Sequence, residues 1–219
     1  MALRLNGSTS GFTGIDAPAT AGSNTLVLPT GNGTARQTMM TDGAGALSFS
    51  WDAGSLFYRL NADLAGANVN TAQSVFGVGV TLAASTVYGF EALYLLSKTA
   101  GTTSHTVGTG FGGTATLNNI LYELVGKFTT AVTTVTAPDI FNAATTANNT
   151  VQVLASSATG LHFEAMIRGT VSINASGTFI PQYTLSAAPG GAYSTVAGSY
   201  IKFTPIGAAG SASSQGTWS

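Results

Sequence analysis

The chain has 219 residues, no cysteine and only 7% charged residues, with seven basic and eight acidic side chains. Soluble domains carry roughly 25% charged residues, so Ser, Thr, Asn and Gly must supply most of the polar surface here. The balanced charge argues against nucleic-acid binding, which needs a basic field. The lack of cysteine excludes disulfides, thiol catalysis and Cys-based zinc sites.

The first residues show no targeting pattern, because the chain turns polar at Asn6 before an apolar run can form. No apolar run reaches the roughly 20 residues that a spanning helix needs. We therefore expect synthesis in the cytosol, no secretory signal and no membrane partner.

Residues 1–52 are predicted to form a small β module or attachment arm. Short strand candidates lie at residues 25–28, 37–41 and 46–51, and Asp42-Gly43-Ala44-Gly45 between the last two is typical of a hairpin turn. The segment has too few large apolar residues for a core of its own. We expect it to pack on another surface.

Residues 53–219 are predicted to form an antiparallel β-sandwich of the jelly-roll kind, because strand-like runs alternate with polar turn clusters. The polar clusters cover residues 99–113, 142–150 and 187–194. The predicted strands are 75–82, 87–96, 120–130, 151–155, 161–174, 178–185 and 200–206.

Three details of these strands carry structural predictions. Residues 161–174 alternate between an apolar and a mostly polar face, so this strand should be half-buried, with Gly169 marking a bulge or a close backbone approach. Residues 87–96 are apolar on both faces except for Glu91. Such a run indicates a central strand. Pro181 and Pro205 indicate edges or strand ends, because proline donates no ladder hydrogen bond.

The aromatic residues on strand-like runs are predicted to form the core. They are Phe57, Tyr58, Phe90, Tyr94, Phe163, Tyr183 and Phe203.

The N-terminal region resembles a short β module of tailed-phage fibres and other virion proteins. The resemblance rests on Ala17-Pro-Ala-Thr-Ala-Gly-Ser-Asn-Thr-Leu-Val-Leu-Pro29 and on Gln37 with Thr41-Asp-Gly-Ala-Gly-Ala-Leu-Ser48. The sequence departs from that pattern at Met39 and Met40, where such modules usually carry Val-Leu, and at Phe49-Ser50-Trp51, where the Trp of such modules follows sooner.

The remainder is similar to C-terminal β-sandwich domains of marine phage structural proteins, which are trimeric jelly rolls of the tumour-necrosis-factor-like kind. The similar stretches are Ala100-Gly-Thr-Thr-Ser-His-Thr106, Gly112-Gly-Thr-Ala-Thr116, Ile167-Arg-Gly-Thr-Val-Ser-Ile-Asn174, Ala188-Pro-Gly-Gly191 and Gly216-Thr-Trp-Ser219. The resemblance implies a homotrimer on the virion exterior whose partners are the major capsid protein or tail components. It implies no catalytic residue and no cofactor.

Four residues are candidates for an interface. His162, Glu164 and Arg168 share the polar face of one predicted strand, where alternate side chains point the same way, and Trp218 lies in a Gly- and Ser-rich segment. His162 and Glu164 could instead begin a metal or acid/base site, but a metal would need a further ligand from elsewhere. We favour the interface interpretation.

Other chemical signals are weak. His105 lies in a Thr/Ser/Gly loop and is expected to be solvated or to brace that loop. Glu91 is the most constrained acid, and we expect it to pair with Lys or Arg. Gly108 to Gly113 offers a GxGxxG pattern, but no amphipathic helix follows it, so a dinucleotide site is not expected.

Low charge itself indicates assembly. The chain has three lysines, Lys98, Lys127 and Lys202, so charge can protect few sheet edges, and neighbouring subunits are the simplest cover. Taken with the resemblance to virion proteins, this implies a non-enzymatic capsid decoration or cement protein. The alternative is a tail fibre or spike, with a receptor- or carbohydrate-binding tip. An enzyme would need a carboxylate pair or metal cluster assembled by the fold.

Overall fold

The computed structural model describes residues 3–15, 18, 20, 22–23, 25–32, 38–42, 44–50, 54–101, 103–129, 138–146, 152–153 and 161–210. Within these residues the chain forms seventeen β-strands and no helix. Contacts between Cα atoms divide the chain into two compact units, Met1–Ala53 and Gly54–Ser219.

The described residues of the first unit form two antiparallel hairpins. Its strands are β1 (Leu3–Asn6), β2 (Phe12–Ile15), β3 (Thr38–Thr41) and β4 (Leu47–Ser50). The predicted β3–β4 hairpin is confirmed: the Asp42 carboxylate accepts hydrogen bonds from the Ala44 and Ala46 amides, at 2.8 and 3.0 Å. The hairpin of β1 and β2 was not predicted. Residues 25–28 form no strand, and only Val27 makes a parallel bridge, to Ala46.

The second unit contains the remaining strands. They are β5 (Leu56–Arg59), β6 (Leu64–Ala65), β7 (Gln73–Ser74), β8 (Val80–Leu82), β9 (Thr86–Ser97), β10 (Val107–Gly112), β11 (Thr116–Thr129), β12 (Asp139–Thr145), β13 (Gln152–Val153), β14 (His162–Ala175), β15 (Gly177–Leu185), β16 (Ser194–Thr195) and β17 (Tyr200–Ala208).

These strands build two antiparallel sheets that pack as sandwich-like layers, which confirms the all-β sandwich prediction. The large sheet runs β12-β11-β14-β9, and beyond β9 it continues as β17-β5 along most of the strand and as β16-β6 near its end. The small sheet runs β13-β10-β15, followed by β7 and β8, which pair with different parts of β15. As predicted, β9 is a central strand.

The core lies between the two sheets and is rich in aromatic rings. Phe90 of the large sheet meets Phe111 of the small sheet edge-on with centroids 5.3 Å apart, and Phe111 stacks on Phe179 at 4.6 Å. Offset and edge-to-face pairs are the favoured aromatic geometries. In β14 the predicted alternation is confirmed, because Phe163, Ala165, Ile167, Val171 and Ile173 are all buried.

Gly169 interrupts this alternation because two strands approach closely there. A Cβ atom at Gly169 would lie 2.6 Å from the Cβ of Tyr122 and would collide with the Leu121 carbonyl oxygen. The pairing register with β11 runs through this point without a shift. The close-approach alternative is therefore confirmed, and the bulge alternative is wrong.

Several boundary predictions are wrong. Residues 75–82 do not form one strand, because the chain leaves β7 after Ser74 and re-enters the sheet only at β8. The polar clusters 99–113 and 142–150 contain β10 and the end of β12, respectively. The alternate glycines Gly108, Gly110 and Gly112, which the sequence analysis placed in a turn cluster, lie within the strand β10.

Pro181 lies inside β15 and is buried, so its predicted place at an edge or strand end is wrong. Its carbonyl accepts a hydrogen bond from the Val75 amide at 2.9 Å. Since the N and C=O of a strand residue point to the same side, the proline nitrogen faces the gap between β7 and β8, where no donor is required. Pro205, as predicted, lies beyond the end of β5 and beside a register shift.

Candidate functional site: the outer face of the large sheet

Four charged residues form a straight row across the outer face of the large sheet. Glu123 of β11 pairs in register with Arg168 of β14, Arg168 with Glu91 of β9, and Glu91 with Lys202 of β17. We call this the charge row. Its signs alternate from strand to strand, and residues that pair in register share a sheet face.

One end of the charge row contains a close ion pair. Arg168 Nη2 lies 2.6 Å from Glu123 Oε2, and Arg168 Nε donates to the same oxygen at 2.8 Å. The Arg168 side chain is 75% exposed, whereas that of Glu123 is 28% exposed. A second pair on the same face joins Lys127 Nζ to Glu164 Oε2 at 3.1 Å. These six residues include every glutamate of the chain.

Large apolar side chains lie beside the charge row. One line of register pairs joins Ile140, Val125, Met166, Leu93 and Tyr200, from β12 across to β17; we call it the apolar row. Ile140 is 61% exposed, Met166 52% and Leu93 38%. On the other side of the charge row, Leu121 is 55% exposed. The face is therefore apolar with a charged stripe.

A shallow depression of about 570 Å³ opens next to the charge row. Gly89 leaves it without a side chain at that point, while Asn142, Thr170 and Thr204 add polar atoms to its lining along with all four charged residues. Its two carboxylates, Glu91 and Glu123, flank Arg168 in the register. Charges of alternating sign on an exposed face can make polar and ionic contacts with a complementary partner surface.

The structure places three of the four predicted interface residues on this face. Glu164 pairs with Lys127, Arg168 pairs with Glu123, and His162 Nδ1 lies 3.0 Å from the Ser97 hydroxyl. Each side chain is thus engaged by a neighbouring strand, and no contact joins His162 to Glu164 among the described hydrogen bonds and ion pairs. Trp218 lies outside the described residues.

Sequence reasoning singled out Glu91 but missed its place in the charge row. In the described part of the chain, Glu91 belongs to neither of the two ion pairs, although Arg168 and Lys202 flank it in register. Phe57 and Tyr58 were predicted to be core residues and are instead 59% and 40% exposed. Phe57 pairs in register with Lys202 and extends the charge row with an aromatic ring.

A separate buried cluster surrounds His105, which is only 1% exposed, so the solvated interpretation is wrong and the bracing one holds. His105 Nδ1 lies 2.7 Å from the Thr103 carbonyl oxygen. Because a carbonyl only accepts, Nδ1 carries the proton, and Nε2 accepts from the Tyr193 hydroxyl at 2.9 Å. Burial lowers the pKa of His105, the Thr103 hydrogen bond opposes that shift, and the charge of Lys98 adds to it.

Lys98 is buried beside this histidine. Its ammonium group donates to the Pro189 carbonyl at 3.0 Å and lies 5.3 Å from the centre of the Tyr193 ring. Burial lowers the pKa of Lys98, and burial raises the pKa of Tyr193. The cluster holds the loops around residues 98–105 and 189–193 together.

Two further chemical possibilities find no support in the described residues. They contain no group of three or more His, Asp or Glu side chains placed to hold a metal ion. They also contain no helix long and apolar enough to cross a membrane. Comparison of the chain with protein-family models, with curated proteins and with solved structures gave no match.

Proposed function

We propose that this chain is a non-enzymatic structural subunit on the exterior of a tailed-phage particle, where it acts as a capsid decoration or cement protein. The observation that carries the proposal is the outer face of the large sheet. Met166, Ile140 and Leu121 are each more than half exposed there. Contiguous exposed apolar surface marks protein interaction sites, and copies of the same chain are its simplest cover.

The first unit supports an attachment role. Among the described side chains between residues 5 and 49, none is buried. Leu26 and Leu28 are 66% and 70% exposed, and Phe12 and Ile15 are 58% and 62% exposed. Such a unit gains stability by packing on another protein. We propose that it anchors the subunit to the major capsid protein and that the subunits form a homotrimer.

The experiment that tests the proposal locates the protein on the particle. Antibodies raised against the purified chain, followed by immunogold labelling of intact virions, should label the capsid surface. Labelling confined to the tail would overturn decoration and favour the alternative below. Sedimentation of the purified chain should show an oligomer, and a stable monomer at micromolar concentration would contradict assembly.

A tail fibre or spike with a receptor- or carbohydrate-binding tip is the second candidate. The fibre-like pattern at residues 17–48 favours it, as does the polar depression with its Asn142, Thr170 and Thr204 side chains. A glycan array probed with the purified protein distinguishes the two, because the decoration role predicts no binding above background.

A further inference from the structure

We propose that the outer face of the large sheet binds the same face of a second copy of this chain, across a two-fold axis that runs parallel to the strands between β9 and β14. This inference rests on the self-assembly part of the proposed function and adds to it a two-fold contact, separate from the surface that forms the trimer. It identifies which contacts join the copies and fixes their relative orientation.

The charge row carries the argument. Across the sheet its signs run negative, positive, negative, positive, at Glu123, Arg168, Glu91 and Lys202. A two-fold rotation about the proposed axis reverses the order of the strands. Glu123 then faces Lys202 of the second copy, and Arg168 faces Glu91 of the second copy. All four positions meet the opposite charge.

The same pattern excludes the competing orientation. A two-fold axis along the charge row would place every residue opposite itself, so that Glu91 would meet Glu91 and Arg168 would meet Arg168. Like charges brought together in an interface oppose its formation strongly. An even, alternating row therefore selects one of the two face-to-face arrangements, as repulsive elements do in specific interfaces.

The side chains beside the charge row fit the same rotation. In the apolar row, Met166 faces Leu93 of the second copy and Val125 faces Tyr200. On the other side of the charge row, Thr170 faces Gly89, which leaves room for it. Sheets that pack face to face keep their strands within about 30° of parallel at a distance of about 10 Å, which suits an axis along the strands.

The second copy supplies opposite charges to two residues of the charge row that form no ion pair within one copy. Within the described residues Glu91 and Lys202 take part in no ion pair, while Arg168 already contacts Glu123. The rotation gives Glu91 and Lys202 an opposite charge each and adds a second carboxylate to Arg168. Such ion pairs chiefly set the orientation, and the apolar row contributes most of the favourable burial.

This symmetry predicts an even number of copies. The two-fold contact gives a dimer if it is the sole contact, and it joins two trimers into a hexamer if a separate surface forms the trimer. In either case, loss of the two-fold contact should halve the mass of the oligomer in solution.

The test uses two variants of the full chain with opposite charge on the face. The acidic variant carries Arg168→Glu and Lys202→Glu, and the basic variant carries Glu91→Lys and Glu123→Lys. Light scattering after size exclusion should give half the wild-type mass for each variant alone. An equimolar mixture should recover the full mass, because each position again faces the opposite charge. Recovery also shows that both variants are folded.

Cross-linking then tests the orientation, and the absence of cysteine in the natural sequence removes any background. Met166→Cys mixed with Leu93→Cys should form a disulfide-linked pair under mild oxidation. Met166→Cys mixed with Thr81→Cys, an exposed position on β8, should not.

Two results would overturn the inference. The first is an unchanged mass for both charge variants, which would leave the proposed function standing if the wild type is oligomeric and labels the capsid. The second is half mass for each variant without recovery in the mixture. A monomeric wild type would count against self-assembly as a whole, and would therefore be distinguishable from a failure of this face alone.

Discussion

The two faces of the large sheet both contain apolar side chains, yet a single chain covers only one of them. On the inner face of β9, Tyr88, Phe90 and Tyr94 are at most 5% exposed, because the small sheet packs against them. On the outer face of the same strand, Leu93 is 38% exposed and Glu91 is also exposed. The inner face is a finished core, whereas the outer face has the composition of an interface.

The position of the charged residues shows the same difference. The chain has few charged side chains, and all three glutamates lie on the outer face of the large sheet. The inner face uses neutral hydroxyl groups for its polar contacts, such as the 2.7 Å hydrogen bond between Tyr94 and Thr109. Burial of an unpaired charge would cost much more than burial of a hydrogen-bonded hydroxyl group.

Adjacent residues of β14 give the largest expected contrast between the faces. Ile167 is 1% exposed and Met166 is 52% exposed. We expect Ile167→Ala to lower the free energy of unfolding by about 2–5 kcal/mol, because it leaves a cavity between the sheets. Made in the acidic variant (Arg168→Glu with Lys202→Glu), whose outer face no second copy covers, Met166→Ala should lower it by less than about 1 kcal/mol. Urea titration measures both, and equal losses would show that the outer face is packed like the core.

Two glycines, one on each face, test how much room the face leaves for one added methyl group. A Cβ at Gly169 on the inner face would lie 2.7 Å from Tyr122 Cα, whereas one at Gly89 on the outer face would meet only Ile206 Cγ2, at 3.7 Å. We expect Gly169→Ala to destabilise the fold by about 1–3 kcal/mol through overpacking. In the acidic variant, whose outer face no second copy covers, Gly89→Ala should be neutral or stabilising by up to about 1 kcal/mol. Thermal unfolding of the two variants side by side checks the pair.

The sequence was sufficient for the sandwich and for strands with strong alternation. The face of β14 was predicted because Phe163, Ala165 and Ile167 recur with period two, and β9 because its apolar run was long. Short strands were missed where pairing rather than propensity determines them. Three of the six residues of β10 are glycines, namely Gly108, Gly110 and Gly112. This segment has little strand propensity of its own, and it forms a strand because it pairs with β13 and β15.

The charge row could not be assembled from one strand at a time. Each of four strands contributes one charged residue to the row, and alternation alone predicted that Arg168 points outward. The order β11-β14-β9-β17 and its register were needed to bring Glu123, Glu91 and Lys202 beside it. That order depends on long-range pairing, which one sequence does not specify. Likewise, a lone His105 in a polar loop gave no sign that it was buried.

The buried His105 predicts that stability falls in mild acid. Its pKa in the folded state is lowered from 6.5, chiefly by burial, so the unfolded chain binds the proton more tightly. Stability is therefore complete above about pH 7 and is lost as the pH falls from 6.5 towards the folded pKa. One linked proton gives a slope of at most about 1.4 kcal/mol per pH unit. Urea midpoints between pH 7.5 and 5 measure it.

The control for this prediction is the only other histidine. His105→Gln should lower stability at pH 7.5 but remove most of the loss between pH 7 and 5. His162→Gln, on the outer face, removes the other imidazole and so separates loss of the buried ring from loss of any histidine. If both variants keep the wild-type slope, a carboxylate rather than His105 carries the acid sensitivity.

The smallest expected effect is the ion pair between Lys127 and Glu164, whose side chains remain 30% and 46% exposed. A double-mutant cycle with Lys127→Met and Glu164→Gln should give a coupling of about 0.2–1 kcal/mol that disappears in 1 M salt. The matched inner cycle, Tyr94→Phe with Thr109→Val, should give a larger coupling that salt leaves unchanged, because removing one partner leaves a buried hydroxyl unsatisfied. An outer coupling as large and as resistant to salt would mean that this part of the face is already covered in solution.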